Sequence, residues 1–151
     1  MNYTELCSEL RALISSVPHL TANLANAAAL IWQKTEKINW AGFYLLDGGK
    51  LVLAPFQGKP ACIEIPVGRG VCGTAVAKNE TQLVPDVHKF PGHIACDSES
   101  RSEIVVPIRK NGEAIGVLDI DSPFAARFSE EDKIGFEAVA AVLEEELRDL
   151  F

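Results

Sequence analysis

Cys62, Cys72 and Cys96 stand ten and then twenty-four residues apart, in segments rich in glycine, proline and charge. Thiols in such polar surroundings are poorly explained as core filling. As thiolates they attack electrophilic sulfur or exchange disulfides, and a neighbouring cation favours that form. His93, Asp97 and Arg101 neighbour Cys96, and a glycine turn separates Cys62 from Cys72. The segment 85–101, PDVHKFPGHIACDSESR, has the length and irregularity of a functional loop, one able to carry Cys96 to either of the others. A zinc site shared with a histidine and three passive thiols are the alternatives. The lack of a Cys-x-x-Cys pair weighs against zinc. The fourth cysteine, Cys7, lies on a helical pattern and reads as a packing thiol.

A second group is acidic. Asp119 and Asp121 are two apart in an apolar strand, so both face one side of it. Carboxylates crowded in apolar surroundings raise each other's pKa, and one kept neutral near pH 7 can act as a general acid. The other reading is a strand end reaching solvent before Ser122 and Pro123. Glu103 lies on the expected partner strand. Simple pairing around Asn111-Gly112 sets it opposite Ile120, on the wrong face. A one-residue bulge at Pro107 would set it opposite Asp119 and make a three-carboxylate cluster. Trp40 and Tyr44 share a strand face with Gly42, where a hollow walled by an aromatic ring is possible. Gly68-Arg69-Gly70-Val71-Cys72-Gly73 spells G-x-G-x-x-G, but no full βαβ unit surrounds it, so it reads as a tight turn opening a short helix.

These residues need a scaffold. Leu6, Leu10, Leu13, Ile14 and Val17 recur at helical spacing up to Pro18. Thr21 is the expected cap of a second helix, with Leu24, Ala27, Ala28, Ile31 and Trp32 as its apolar stripe. Strands are expected at 38–46, 51–56, 62–66, 81–84, 104–109 and 114–121, with a short helix at 70–78. Ser129 should cap a last helix that buries Phe136, Val139, Ala140, Leu143, Leu147 and Leu150. Two helices, a run of strands and one helix make an α+β fold: an antiparallel sheet of about six strands with the N- and C-terminal helices packed on one face.

The 151 residues suit one domain, 1–151, with no linker or repeat. With 21 acidic against 14 basic residues, a nucleic-acid or anionic-membrane partner is not expected. The N-terminus has no cationic start followed by an apolar run, which predicts a cytoplasmic protein in which structural disulfides are rare.

Phe56-Gln57-Gly58-Lys59-Pro60-Ala61-Cys62, Gly68 to Gly73, Phe90-Pro91-Gly92-His93-Ile94-Ala95-Cys96-Asp97 and Gly116-Val117-Leu118-Asp119-Ile120-Asp121-Ser122-Pro123 resemble the free methionine-(R)-sulfoxide reductases, stand-alone GAF-domain enzymes. The resemblance runs from Trp40-Ala41-Gly42-Phe43-Tyr44 to the last helix. It implies that Cys96 attacks, that Cys62 is the main resolving cysteine and that Cys72 joins in disulfide exchange. It sets Glu103, Asp119 and Asp121 around the substrate ammonium and sulfoxide oxygen, makes Trp40 the wall for the substrate methyl group, and puts Tyr44 in the same pocket. Backbone N–H groups of Ile94, Ala95 and Cys96 would hold its carboxylate. It further implies a homodimer recycled by thioredoxin, with no metal or organic cofactor. The rival within the same fold is a ligand-binding or redox-sensing module without turnover.

Overall fold

The computed structural model describes residues 1–94 and 96–151. Helices α1 (Tyr3–Ile14) and α2 (Leu20–Lys34) lead into strands β1 (Trp40–Asp47), β2 (Lys50–Gly58) and β3 (Glu64–Pro66). Helix α3 (Gly70–Lys78) and strand β4 (Gln82–Val84) follow, then a 3₁₀ turn at Val87–Lys89, β5 (Ser102–Lys110), β6 (Glu113–Ser122) and α4 (Glu130–Glu146). The strands form one antiparallel sheet in the order β3-β2-β1-β6-β5-β4.

Alternation along the strands sorts side chains onto two faces. Ala41, Phe43, Ile104, Val106, Leu118 and Ile120 pack against α1, α2 and α4 in the larger core. Trp40, Tyr44, Val105 and Val117 turn the other way, toward α3 and the segment 85–101, in a second core that includes Val71, Cys72 and Val87. Leu6, Leu10 and Ile14 form the buried stripe of α1, whereas Leu13 is exposed and Val17 lies beyond the helix. Thr21 does not cap α2: the helix starts at Leu20 with His19 before it and no side-chain cap. Asn23 anchors that end instead, donating to the Val17 carbonyl at 2.7 Å. Ile31 takes the inward position on α2, so Trp32, about 100° further round, faces solvent.

The β5–β6 hairpin decides where the acids lie. Asn111 and Gly112 both have positive φ, as a two-residue turn of this kind requires. Arg109 pairs with Ala114, but Ile108 pairs with Gly116, so Ile115 is passed over. The expected one-residue shift therefore occurs on β6, not at Pro107, which pairs regularly with Val117. Its sense is opposite to the one expected, and Glu103 pairs with Asp121 rather than Asp119. The missing side chain at Gly116 lets β6 close on β1 there, since a Cβ would lie 2.6 Å from the Tyr44 carbonyl oxygen.

Helix α4 closes the larger core. Ser129 Oγ accepts from the Asp132 N–H, and the Asp132 carboxylate accepts from the Ser129 N–H at 2.9 Å, a reciprocal capping box. Phe136, Val139, Ala140, Leu143 and Leu147 are buried as expected, and Leu150 only partly. Tyr3 of α1 donates to Asp132 Oδ1 at 2.6 Å and sets its ring edge-on to Phe136. Ser129→Ala should lower the free energy of unfolding by ~1 kcal/mol and the melting temperature by about 2–4 °C. Urea unfolding with an unchanged m-value checks this, and an unaltered midpoint would refute the role of the cap.

Candidate active site

Cys62 and Cys96, 34 residues apart in the chain, are joined by a disulfide with their Cα atoms 5.6 Å apart. Each sulfur is delivered by a different connection. Cys62 sits between β2 and β3, on a stretch tied to β1 by two aromatic side chains. Trp40 Nε1 donates to the Lys59 carbonyl at 3.1 Å, and Tyr44 Oη donates to the Cys62 carbonyl at 2.8 Å. Cys96 follows a turn at Gly92, whose φ is +73°. Before it, Ile94 lies against Gly70, where a Cβ would approach Ile94 Cγ1 to 3.2 Å. After it, the Asp97 carboxylate accepts from the Glu99 N–H at 2.9 Å, and Asn39 Nδ2 donates to both Asp97 and Ser100.

Of the two bonded cysteines, Cys96 lines a cavity of about 50 Å³, whereas Cys62 stands outside its lining, next to Pro60 and Ala61, which do line it. Trp40, Tyr44, Cys72, Ile94, Cys96, Glu103, Asp119 and Asp121 all line it, so eight of the residues expected at the site share one space. Ala95 lies outside the described residues. Gly42 does not open the hollow expected beside Trp40, because a Cβ there would overlap Phe56, and Phe56 stacks on Trp40 with ring centroids 5.0 Å apart. His93, Asp97 and Ser100 also line the cavity. His93 and Asp97 stood out in sequence only as neighbours of Cys96. Asn39 gave no sequence signal at all, since its partners are 58 and 61 residues away.

Glu103 and Asp119 are buried, and Asp121 keeps partial contact with water. Cys72 Sγ donates to Asp119 Oδ2 at 3.3 Å, while Asp119 Oδ1 is buried with no partner. Loss of solvent, then the negative charge of Asp119, pushes Glu103 and Asp121 well above the usual carboxyl range. Burial also raises Asp119, but hydrogen bonds from Glu103, Cys72 and Asp121 oppose the rise. All three carboxyls are thus pushed toward keeping a proton, Asp119 the least of them. Burial, then the same carboxylates, pushes the Cys72 thiol far up. Burial lowers the pKa of His93 and keeps its imidazole neutral.

Cys72, Glu103 and Asp119 each offer one ligand-type atom, all within 4.8 Å of one another. In this structure Cys72 Sγ donates to Asp119 Oδ2 instead. The zinc alternative that used Cys62, Cys72 and Cys96 loses two ligands to the disulfide. The G-x-G-x-x-G stretch is a turn. Gly68 N–H donates to the Gly73 carbonyl and Gly73 N–H to the Arg69 carbonyl, so these two amides are spent internally rather than on a phosphate. A Cβ on Gly73 would collide with the Pro66 carbonyl, which explains the glycine there.

The pattern of the GAF domain family matches residues 9–147. The chain is 53% identical over 145 residues to the free methionine-R-sulfoxide reductase of Escherichia coli K12, covering 96% of this chain and 88% of that protein. It belongs to the free methionine-R-sulfoxide reductase family. Among solved structures, the reduced form of fRMsr of Staphylococcus aureus superposes with a TM-score of 0.94 at 53% identity, covering 97% of this chain and 95% of that one. The free methionine-R-sulfoxide reductase from Neisseria meningitidis, in complex with its substrate, superposes with a TM-score of 0.92 at 47% identity, covering 95% and 87%. The disulfide-bonded chain and a reduced family member thus share one backbone plan. No helix among the described residues is long and apolar enough to cross a membrane.

Glu103 and Asp121 bind more protons folded than unfolded once pH exceeds their ordinary values of 4.5 and 3.8. The stability they contribute is full below those values and is lost as pH rises toward the folded pKa values. Glu103→Gln removes one contribution. The decline in unfolding free energy between about pH 5 and about pH 8 should become shallower than in the parent, as read by denaturant titration across that range. An identical slope would mean that Glu103 does not hold its proton in the folded state.

Proposed function

We propose that this chain reduces free L-methionine (R)-S-oxide to L-methionine with its own thiols as the electron source. The observation that carries the reading is the Cys62–Cys96 bond, whose Cys96 end shares one cavity with Glu103, Asp119 and Asp121. Sulfoxide reduction consumes two electrons and two protons and releases water. Two thiols supply the electrons by becoming a disulfide, and the cavity brings both kinds of group together.

In the reduced enzyme the Cys96 thiolate attacks the sulfoxide sulfur while Glu103 or Asp121, both kept neutral, gives a proton to the leaving oxygen. In the sulfurane so formed the hydroxyl passes from the substrate sulfur to the Cys96 sulfur as the bond between the two sulfurs breaks, so methionine departs and Cys96 is left as sulfenic acid. Cys62 then attacks that sulfur, expelling water and forming the disulfide. Cys72, on the wall of the same cavity, is a third thiol available for exchange. The resemblance assigns the substrate ammonium to the acid cluster and its carboxylate to the backbone N–H groups of Ile94, Ala95 and Cys96; in the disulfide form the Cys96 N–H donates to the Ile94 carbonyl at 3.1 Å and must turn from it to do so. Trp40 walls the methyl group, and Tyr44 lines the same cavity. Neither metal nor organic cofactor takes part in this scheme.

In the disulfide form the cavity holds only a few waters, since each needs roughly 10–15 Å³ on this measure. Reduction must therefore come first, freeing the segment 85–101 to move aside for the amino acid. An external dithiol protein of the thioredoxin kind, in a cytoplasmic setting, restores the thiols by exchange. We place the whole chain, 1–151, in one GAF domain, active as a homodimer.

Pure protein with free methionine-(R)-sulfoxide and dithiothreitol should yield methionine. Cys96→Ser should yield none, even in a single turnover. Cys62→Ser should keep the first turnover and slow later ones about tenfold or more, because sulfenic acid then lacks its resolving thiol. Methionine release by Cys96→Ser would remove the nucleophile, and no methionine from the parent would favour a sensor module.

A further inference from the structure

We propose that Asn39 is the positioning residue for Cys96, holding the segment after the thiol against the strand that bears Asp119 and Asp121. Asn39 immediately precedes β1. Its backbone N–H donates to the Asp121 carbonyl at 2.9 Å, fixing it to the acid-bearing strand. Its side-chain Nδ2 donates to Asp97 Oδ2 at 3.1 Å and to Ser100 Oγ at 3.0 Å. Asp97 is the residue after Cys96, and the 97–100 turn is closed by Ser100 N–H donating to the Asp97 carbonyl at 3.2 Å. One amide therefore joins the acid side of the cavity to the sulfur side.

The direction of that amide is not free. A carboxylate only accepts, so the nitrogen must face Asp97. The consequence is that Asn39 Oδ1 is buried without a partner. An orphaned acceptor costs stability. A residue serving stability alone would not leave one, whereas a donor needed at a fixed point would. Among the described residues the segment's end is also tied to β6 by the Arg101 N–H donating to the Ser122 carbonyl at 2.8 Å, and the other side-chain bond across residues 97–100 is Lys59 to Glu99 at 3.0 Å. Both members are more than half exposed, and such pairs hold little. Asn39 is then the side chain able to set the distance from Cys96 Sγ to both Cys62 and the acid cluster.

The inference rests on Cys96 as the attacking thiol, but half of its test does not. Asn39→Ala removes both donors; Asn39→Asp also sets a second carboxylate against Asp97. The single-turnover rate of methionine formation should fall about tenfold in the first and about a hundredfold in the second. The steady-state KM should change by less than about threefold. The equilibrium of the Cys62–Cys96 bond with dithiothreitol should shift about tenfold toward the dithiol, a readout that needs no sulfoxide. Asn39→Asp combined with Asp97→Asn rebuilds a donor–acceptor pair in the reverse sense, so both quantities should return most of the way to the parent's values.

Single variants within about twofold of the parent in both quantities would overturn the proposal. So would a double variant that recovers the melting temperature but neither quantity, or one that recovers nothing. An inactive parent that still shows the disulfide shift and its rescue would sink the reductase reading and leave the placement of Cys96 by Asn39 standing.

Discussion

Two carboxyl groups withdrawn from water, with a third half-buried beside them, set the terms for the rest of the molecule. An isolated buried carboxylate is costly, and two side by side are worse. The chain does not pair them with lysine or arginine. Burial and mutual repulsion favour keeping protons within the cluster, and the Cys72 thiol donates to Asp119, the carboxyl least displaced. Such a cluster persists only if the backbone cannot relax away from it. The three acids stand on the paired strands β5 and β6, both flanked by neighbours in the sheet, whose opposite face is filled by the helix-covered core. The free energy of that core supports the strain of the acid face.

The sulfur side is built differently. Cys62 and Cys96 come from irregular connections held at a few points: two aromatic donors for one, an asparagine amide and a glycine contact for the other. Acid groups must be fixed, because a proton transfer depends on tenths of an ångström. Thiols must approach a substrate, then each other, then an external dithiol, and a strand could not make those moves. The division between a rigid sheet face and lightly tethered connections follows from the two halves of the chemistry.

The element order and the α+β class were legible because they rest on local periodicity and on turn residues. Gly70–Lys78 falls where the sequence places it, and the Asn111-Gly112 turn and the Ser129 cap do as well. The misplaced features depend on context the chain does not spell out. Thr21 is a competent cap, but α2 starts one residue earlier. Trp32 is apolar enough for the stripe, yet Ile31 already fills the inward position. The bulge was expected at Pro107, the residue with a missing N–H, whereas it arises at Ile115, beside the glycine that lets β6 approach β1. Of the site, the cysteines and acids were visible as residue types, and a family resemblance assigned them roles. The phenylalanine that fills the space at Gly42 and the amide of Asn39 act through contacts remote in sequence, which no spacing rule reaches.

The bulge shows how closely sequence detail and chemistry are bound. With Ile115 in register, Glu103 would face Ile120 and its carboxyl would point into the helix-covered core, where Leu6, Leu10 and Phe136 offer no partner. With Ile115 passed over, every residue of β5 beyond Arg109 changes partner by one, and Glu103 comes to the same face as Asp119 and Asp121. One unpaired residue near a hairpin turn thus decides whether a glutamic acid sits as an unsatisfied group in the core or as a proton store beside a thiol. Bulges are kept where they re-aim a side chain. This one aims a strand, and the side chain that gains from it lies twelve residues away along the chain.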